Sequence, residues 1–567
     1  MRQCGILMPI SSLPGPGGIG SFGKQAYAFV DFLQRAGQQI WQILPLSPTG
    51  YGDSPYQSCS AFAGNPYFID LDTLVADGLL EPSDVTGPDW GADPTQVDYG
   101  KLYGARFAVL HKAYNAFCEQ CKGLHGLSHY LPEDWYAFTL KNDSWLPDYA
   151  LYMAGKTEFQ MRSWQEWPAE IRDREPGALE GFRQHCADEV RFWTFLQYEF
   201  DKQWSALKGY ANARGVQILG DMPIYAAADS ADAWTGGKLF ERTEDGGFAR
   251  VAGCPPDFFS ATGQLWGNPV YDWDYHRQTG YAWWVERMRR SMELYDTVRI
   301  DHFRGFDTYW AIPAGNDTAV EGTWEKGPGM DLFRTMEAAI GRKLPIVAED
   351  LGELFDSVRE LLRDSGYPGM KVLQFAFNGG YEFLPYNYER NTVVYPGTHD
   401  NTTLADWWEN VACDNEKNFV RSYLRLTSDA DAVPALLDAA LGSAADTAII
   451  PMADWLCLGA EARLNCPGRL GGNWGWRMRA DALSEDLADH IHARCWVYGR
   501  SSAPARMPEE QPIAALTDLP AEAAEEPSAA VPAAPAEAAP AAPEAPAEKP
   551  AKPVKVFKSR KHKKKKK

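Results

Sequence analysis

Eight short apolar runs punctuate the first 450 residues, each cut off by glycine, proline or a polar residue. They are CGILMPIS from Cys4, IWQILPLSP from Ile40, VQILGDMPIY from Val216, TVRIDHF from Thr297, LPIVAEDLG from Leu344, MKVLQFAF from Met370, TVVYPGTHD from Thr392 and AIIPMADWL from Ala448. Runs of this length, apolar on both faces and rich in β-branched residues, read as buried parallel strands. Most are separated by segments compatible with helix. Eight such units in one α/β chain predict a (β/α)8 TIM barrel.

The spacing is uneven. About 170 residues separate the second and third runs, and they include LYGARFAVLHKAYNAFCEQC and ADEVRFWTFLQYEFDKQWSALKGYANARG. Both stretches place apolar residues at i, i+3 and i+4, so a large, mostly helical insertion is expected over about 70–210. A second helical excursion, Glu416 to Leu441, precedes the last strand. The segment GCPPDFFSATGQLWG from Gly253 holds two prolines and three glycines, the composition of a shaped loop and not of a strand or helix.

The end of the chain has a different character. Residues 501–548 are mostly Ala, Pro and Glu without aromatics, the composition of a disordered linker after a folded body of residues 1–500. Residues 549–567 form a lysine-rich basic tail. Together residues 501–567 carry 9 acidic and 12 basic side chains, a net of +3, which leaves −24 on residues 1–500. The acidic body is a poor partner for nucleic acid. The tail reads either as a solvated charged end or as a tether to an anionic partner.

No apolar run approaches the roughly 18 residues of a membrane span, and MRQCGILMPISSLPG lacks the charged start and cleavage pattern of a signal peptide. The ten cysteines show no framework, so reduced thiols and a cytoplasmic location are expected. Cys118-Glu-Gln-Cys121 is the only close pair, and without a second pair it does not make a metal site. The 21 Trp, 26 Tyr and 26 Phe exceed what a core alone asks for and suit a cleft that stacks on pyranose rings.

Three acids stand at the ends of apolar runs, where a barrel builds its active site: Asp301 in VRIDHF, Glu349 in IVAEDLG and Asp400 in GTHDN. Three carboxyls on one rim suit chemistry at an acetal carbon, with retention and inversion both open. Arg299 and Asp301 alternate along one strand and share a face, so the cation is expected to keep Asp301 ionised; a purely structural ion pair is the alternative. Glu349 follows an apolar run and precedes Asp350, and burial beside a like charge would raise its pKa toward that of a proton donor. His399 beside Asp400 admits a metal site, but one histidine without a second spaced ligand argues against it.

These strings resemble glycoside hydrolase family 77, the amylomaltases or 4-α-glucanotransferases of the α-amylase group. VRIDHFRGF, VAEDLG, GTHDN and GDMPIY carry the likeness, together with GILMPISSLPGPGGIGSFG, SPYQSCSAFAGNPYFIDLD, CPPDFFSATGQLWGNPVYDW and RLNCPGRLGGNWGWR, in order from Gly5 to Tyr498. The resemblance implies Asp301 as nucleophile, Glu349 as general acid/base and Asp400 as transition-state stabiliser. It implies that Arg299 and His302 orient the nucleophile and contact sugar, that His399 meets a sugar hydroxyl and that Asp221 is a donor-side ligand. Tyr56 and Trp266 match cleft aromatics and loop residues near the scissile bond, and Asn465 matches a residue of a far loop closing over the glucan. It further implies α-1,4-glucans and maltooligosaccharides as substrates, with no cofactor and no metal. A hydrolase acting on the same bond is the alternative activity, and a silent glucan-binding protein a more distant one.

Overall fold

The computed structural model describes residues 2–50, 52–122, 131–256, 260–352, 354–469 and 471–503. The expected linker from residue 504 onward and the lysine-rich tail lie outside the described residues. All eight apolar runs form strands: β1 Gln3–Leu7, β2 Ile40–Gln42, β3 Gln217–Met222, β4 Thr297–Ile300, β5 Ile346–Ala348, β6 Gly369–Val372, β7 Thr392–Tyr395 and β8 Thr447–Pro451. Every pairing between them is parallel, and the order follows the chain from β1 to β5, with β8, β7 and β6 extending from the other side of β1. The remaining gap lies between β5 and β6, where Ala348 N–H donates to Pro368 O at 2.9 Å. The sheet is therefore a nearly closed barrel.

The strands are buried on both faces, as their unbroken apolar runs require. Gly220 in β3 is needed for close packing, because a Cβ there would lie 2.1 Å from the Tyr295 ring. Tyr295 in turn accepts a bond from Leu46 N–H at 3.1 Å, fixing the chain beyond β2.

Helices occupy most of the stretch between β2 and β3, the longest being Tyr99–Lys122, Leu146–Glu158 and Ala187–Ala213. Phe195, Leu196, Phe200, Trp204 and Leu207 form the buried stripe of the last of these. Trp204 Nε1 donates to Leu294 O at 3.0 Å and Gln197 exchanges two bonds with Gly64, at 2.7 and 2.8 Å, which ties the helix to the barrel side. Helices Asp414–Leu424 and Ala432–Gly442 make the second excursion.

One feature departs from expectation. Arg250–Cys254 and Gln264–Pro269 are antiparallel strands of a four-stranded sheet completed by Thr308–Pro313 and Thr323–Lys326. The ends of the Gly253–Gly267 segment are thus a hairpin and not a free loop. Alternation along GQLWGNP is masked by Gly267 and Pro269, and the strand that pairs with the other side of Arg250–Cys254, Thr308–Pro313, comes from beyond β4, so short-range pattern hides the sheet.

Candidate active site

Asp221, Arg299, Asp301, His302, Glu349, His399 and Asp400 stand at, or within a few residues of, the C-terminal end of a barrel strand. Asp221 closes β3, Arg299 lies in β4 directly opposite it in register, and Asp301 follows β4. Glu349 follows β5, and His399 and Asp400 lie in the turn after β7. Tyr56 comes from the segment after β2, Trp266 from beyond β3, and Asn465 from beyond β8.

Arg299 organises the floor. Its Nη1 donates to both oxygens of Asp221, at 2.8 and 2.7 Å, and its Nη2 lies 3.1 Å from Asp301 Oδ1. Burial works against the guanidinium charge, but Asp221 and Asp301 outweigh it and raise the Arg299 pKa. The Asp221 side chain is 0% exposed and also accepts the Tyr56 hydroxyl at 2.9 Å. Its oxygens are occupied by Arg299 and Tyr56, so in this state it positions those two groups and offers no oxygen to the cleft.

The three carboxyls sit in different surroundings. Asp301 is pushed up to about 6: burial dominates, Arg299 pulls the value down, and the Asp221 and Asp400 charges push it up again. Arg299 lowers the Asp301 pKa as expected, but desolvation outweighs the cation, so the value ends above the usual carboxylate range. Asp301 and Asp400 keep side-chain exposures of 30% and 42%, since both face the open cleft. They lie deep enough below the rim for the low-polarity surroundings to act on their charge.

Glu349 is pushed up to about 7, chiefly by burial, with Arg299 lowering and the Asp301 charge raising it. Both of its oxygens accept backbone N–H groups, Oε2 from His302 and Oε1 from Leu351, each at 2.7 Å. His302 reaches this position in the left-handed region, at φ 51° and ψ 48°. Asp350 is not the like charge beside Glu349: it turns to accept Met370 N–H at 2.6 Å, on the strand opposite. Alternation along the chain separates neighbours, and the acid that acts on Glu349 is Asp301.

Asp400 is held well below the usual carboxylate range. Burial works against this, but the His399 imidazolium 3.3 Å away, the Asn465 amide donating at 2.6 Å, and Arg299 outweigh it. The Asp400 charge correspondingly raises His399 against the effect of burial. Asn465 N–H also donates to His399 O at 3.1 Å, so the residue braces the His399–Asp400 turn as well as standing on a loop.

Aromatic rings line two sides. Tyr56 stacks on His399 with centroids 5.2 Å apart and an interplanar angle of 16°, and Trp474 tilts against both. Across the cleft the edge of Trp266 meets the His302 ring at 4.8 Å and 89°. Burial, with Arg304 nearby, drives His302 down to about 3, so this imidazole is neutral.

Two further residues belong to the site. Trp474, in the left-handed region at φ 63°, completes the Tyr56–His399 stack. Arg463 donates to Asp400 O at 3.3 Å and to Asn465 O at 2.8 Å. Trp474 falls within the glycine-rich GGNWGWR string, whose aromatics were the available signal; Arg463 opens the same quoted string at RLNCPG but was not singled out in it. Of groups that could hold a metal, Glu158, His185 and Cys186 on the helical insertion bring their donor atoms within 4.8 Å of one another. Cys118 and Cys121 are free thiols on helix Tyr99–Lys122. Among the described residues no helix is long and apolar enough to cross a membrane.

A parallel barrel whose C-terminal rim gathers an arginine-paired aspartate, a glutamate near neutrality and a strongly acidic aspartate defines an enzyme of glycosidic-bond chemistry. Residues 8–483 match the model of glycoside hydrolase family 77, described as 4-alpha-glucanotransferase, and the chain belongs to that family. The 4-alpha-glucanotransferase of Streptococcus pneumoniae serotype 4 is 49% identical over 502 residues, covering 88% of this chain and 97% of that one. That of Thermus thermophilus is 45% identical over 504 residues, covering 87% and 98%. Among solved structures, the amylomaltase from Streptococcus agalactiae in complex with acarbose superposes with a TM-score of 0.84 at 41% identity, over 88% of this chain and 100% of that one. The protein is a 4-α-glucanotransferase.

Proposed function

We propose that Asp301, Glu349 and Asp400 carry out a retaining double displacement on α-1,4-glucans and maltooligosaccharides. The observation that carries this reading is the separation of the three carboxyls into three protonation environments around one guanidinium. Asp301, about 6, is mostly ionised at neutral pH and fit to attack the anomeric carbon. Glu349, about 7, retains a proton to give the departing glycosidic oxygen. The Asp301–C1 bond forms as the C1–O bond breaks, and the leaving segment departs with the proton from Glu349.

The ester formed at Asp301 carries no charge. The like charge that raised Glu349 is thereby removed, its pKa falls, and it becomes the base for the second step. It takes the proton of an incoming 4-hydroxyl, whose oxygen displaces Asp301 and restores the α linkage. Asp400, locked ionised between His399 and Asn465, stabilises positive charge developing at the sugar ring. The retaining mechanism requires the Asp301 and Glu349 carboxyls to stand roughly 5–5.5 Å apart.

Hydrolysis would use the same three groups, with water in place of the sugar. The walls at Tyr56–Trp474 and at Trp266 favour transfer, because stacked acceptor sugar displaces water from the intermediate. Incubation with maltotriose tests the reading: glucose together with a ladder of longer oligosaccharides is expected, and shorter products alone would contradict it. We also place the enzyme in the cytoplasm, on the strength of its free cysteines.

A further inference from the structure

A cavity of about 220 Å³ lies between the barrel and the helical insertion, and transfer chemistry at the rim makes no use of it. Phe62, from the segment after β2, lies flat against Trp145 at 6.3 Å and 15° and edge-on to Trp283 at 5.9 Å and 85°. The three rings make an aromatic corner. Asp148 and Tyr149 enter from helix Leu146–Glu158, and Asp232 from helix Ala231–Thr235.

The polar lining accepts more than it donates. Asp148 contributes a carboxylate already paired with Arg174 at 2.9 Å, so its charge is balanced while its remaining acceptor sites stay usable. Asp232 spends Oδ2 on Ala61 N–H at 2.8 Å. Tyr149 is 1% exposed, and its hydroxyl, without a hydrogen-bond partner among the described residues, is sealed from the cavity, so the two carboxylates carry the polar recognition.

Three ligand classes compete. An organic cation would suit aromatic walls, but Arg290 already lies 5.5 Å from the Trp145 ring centroid and Arg287 5.2 Å from that of Trp283. Those guanidiniums oppose a second positive charge. A purely apolar ligand would leave the carboxylates unmatched. A pyranose has C–H faces for the rings and several hydroxyl donors for the acceptors. The volume falls below the roughly 300–1,000 Å³ of sites for drug-sized ligands, so it encloses one ring and not an oligosaccharide.

We propose that this cavity is a second, non-catalytic sugar site that holds a single glucopyranose, either free glucose or the terminal unit of a glucan. The pyranose class follows from the cavity itself; the choice of glucose rests on the glucan-transfer reading. The site has a route to the cleft, because residues 56–62 run from Tyr56, bonded to Asp221, to Phe62 in the aromatic corner. Occupancy would steady the segment that carries Tyr56.

Hydrogen–deuterium exchange of the full chain separates this claim from the cleft reading, since the two sites report on different peptides. Glucose or maltose should slow exchange in peptides spanning 144–149 and 231–235, whereas maltotriose binding in the cleft is reported by the peptide around His399 and Asp400. Protection of 144–149 by glucose identifies a free-sugar site, and protection only by maltose or longer identifies a chain-end site. Asp148→Ala should raise the sugar concentration needed for half-protection roughly threefold to tenfold, one hydrogen bond's worth, with maltotriose transfer unchanged. Trp283→Leu provides a second variant should the first fail to fold. The proposal is overturned if no sugar protects these peptides while the cleft peptide responds. Equal protection by sorbitol or by choline overturns it too, as does protection that both substitutions leave unchanged.

Discussion

Arg299 directs one guanidinium nitrogen at both oxygens of Asp221, at 2.8 and 2.7 Å, and neither side chain is more than 3% exposed. The pair lies in register across β3 and β4, so the barrel itself sets its geometry. Removing Asp221 leaves the buried Arg299 with only the single, partly exposed Asp301 contact as its counter-charge. Asp221→Ala should therefore destabilise the protein by about 3–5 kcal/mol and lower transfer at least tenfold by releasing both Arg299 and Tyr56. Chemical denaturation with parallel maltotriose assays checks this; a stable variant of undiminished activity would mean the pair does not hold the floor.

The pH profile follows from the two raised carboxyls. Below about 6 Asp301 takes up a proton and ceases to be a nucleophile, and above about 7 Glu349 loses the proton it must donate. The kcat/KM for maltotriose should be bell-shaped, with its maximum between those values and a fall on each side. A rate that stays flat from about pH 5 to 9 would contradict the assignment.

The same raised value has a stability consequence. A carboxyl whose folded pKa exceeds its unfolded one costs the fold nothing below the unfolded value. Its penalty grows as pH rises toward the folded value and is constant above it. Asp301→Asn should thus raise thermal stability at pH 8, by roughly 1–2 kcal/mol once allowance is made for the partly exposed side chain and the loosened Arg299 contact. The gain should vanish near pH 4, while activity is lost throughout. Melting curves at the two pH values decide it, and a destabilised variant at pH 8 would refute the desolvation argument.

Asp400 behaves in the opposite sense, since His399 and Asn465 hold it ionised. Asn465→Ala removes the 2.6 Å amide bond and should lower kcat by about tenfold to a hundredfold with a smaller change in KM. Asn465→Asp, which sets a like charge against Asp400, should be worse. Steady-state kinetics on maltotriose suffice, and equal rates for Ala, Asp and the native residue would remove Asn465 from the account.

Trp266 tests the choice between transfer and hydrolysis. Its ring edge packs on the neutral His302 at 4.8 Å. Trp266→Ala opens that wall to water, so glucose and shortened chains should increase relative to longer products. An unchanged product ratio would place water exclusion elsewhere.

The barrel and the three acids were legible because each strand is a short apolar run that ends in its functional residue, a pattern that needs no long-range information. Arg299 and Asp301 could be placed on one face by alternation alone. What could not be read were relations between distant segments. The hairpin around Trp266 pairs with strands from beyond β4, Asp350 faces β6 and not Glu349, and Arg463 reaches Asp400 from 63 positions away. The upward shift of the Asp301 pKa was hidden too: its neighbour Arg299 is visible in the sequence, but its burial is not.

The central claim is that Asp301 forms the covalent intermediate while Glu349 handles the proton. Glu349→Ala, which slows the second step, can be incubated with a maltosyl fluoride, whose leaving group needs no acid, and the denatured protein digested for mass spectrometry. The account predicts a maltosyl adduct on the peptide that contains Asp301, absent in the double variant with Asp301→Asn. An adduct on Asp400, or transfer by the wild type with no adduct on either carboxylate, would contradict it.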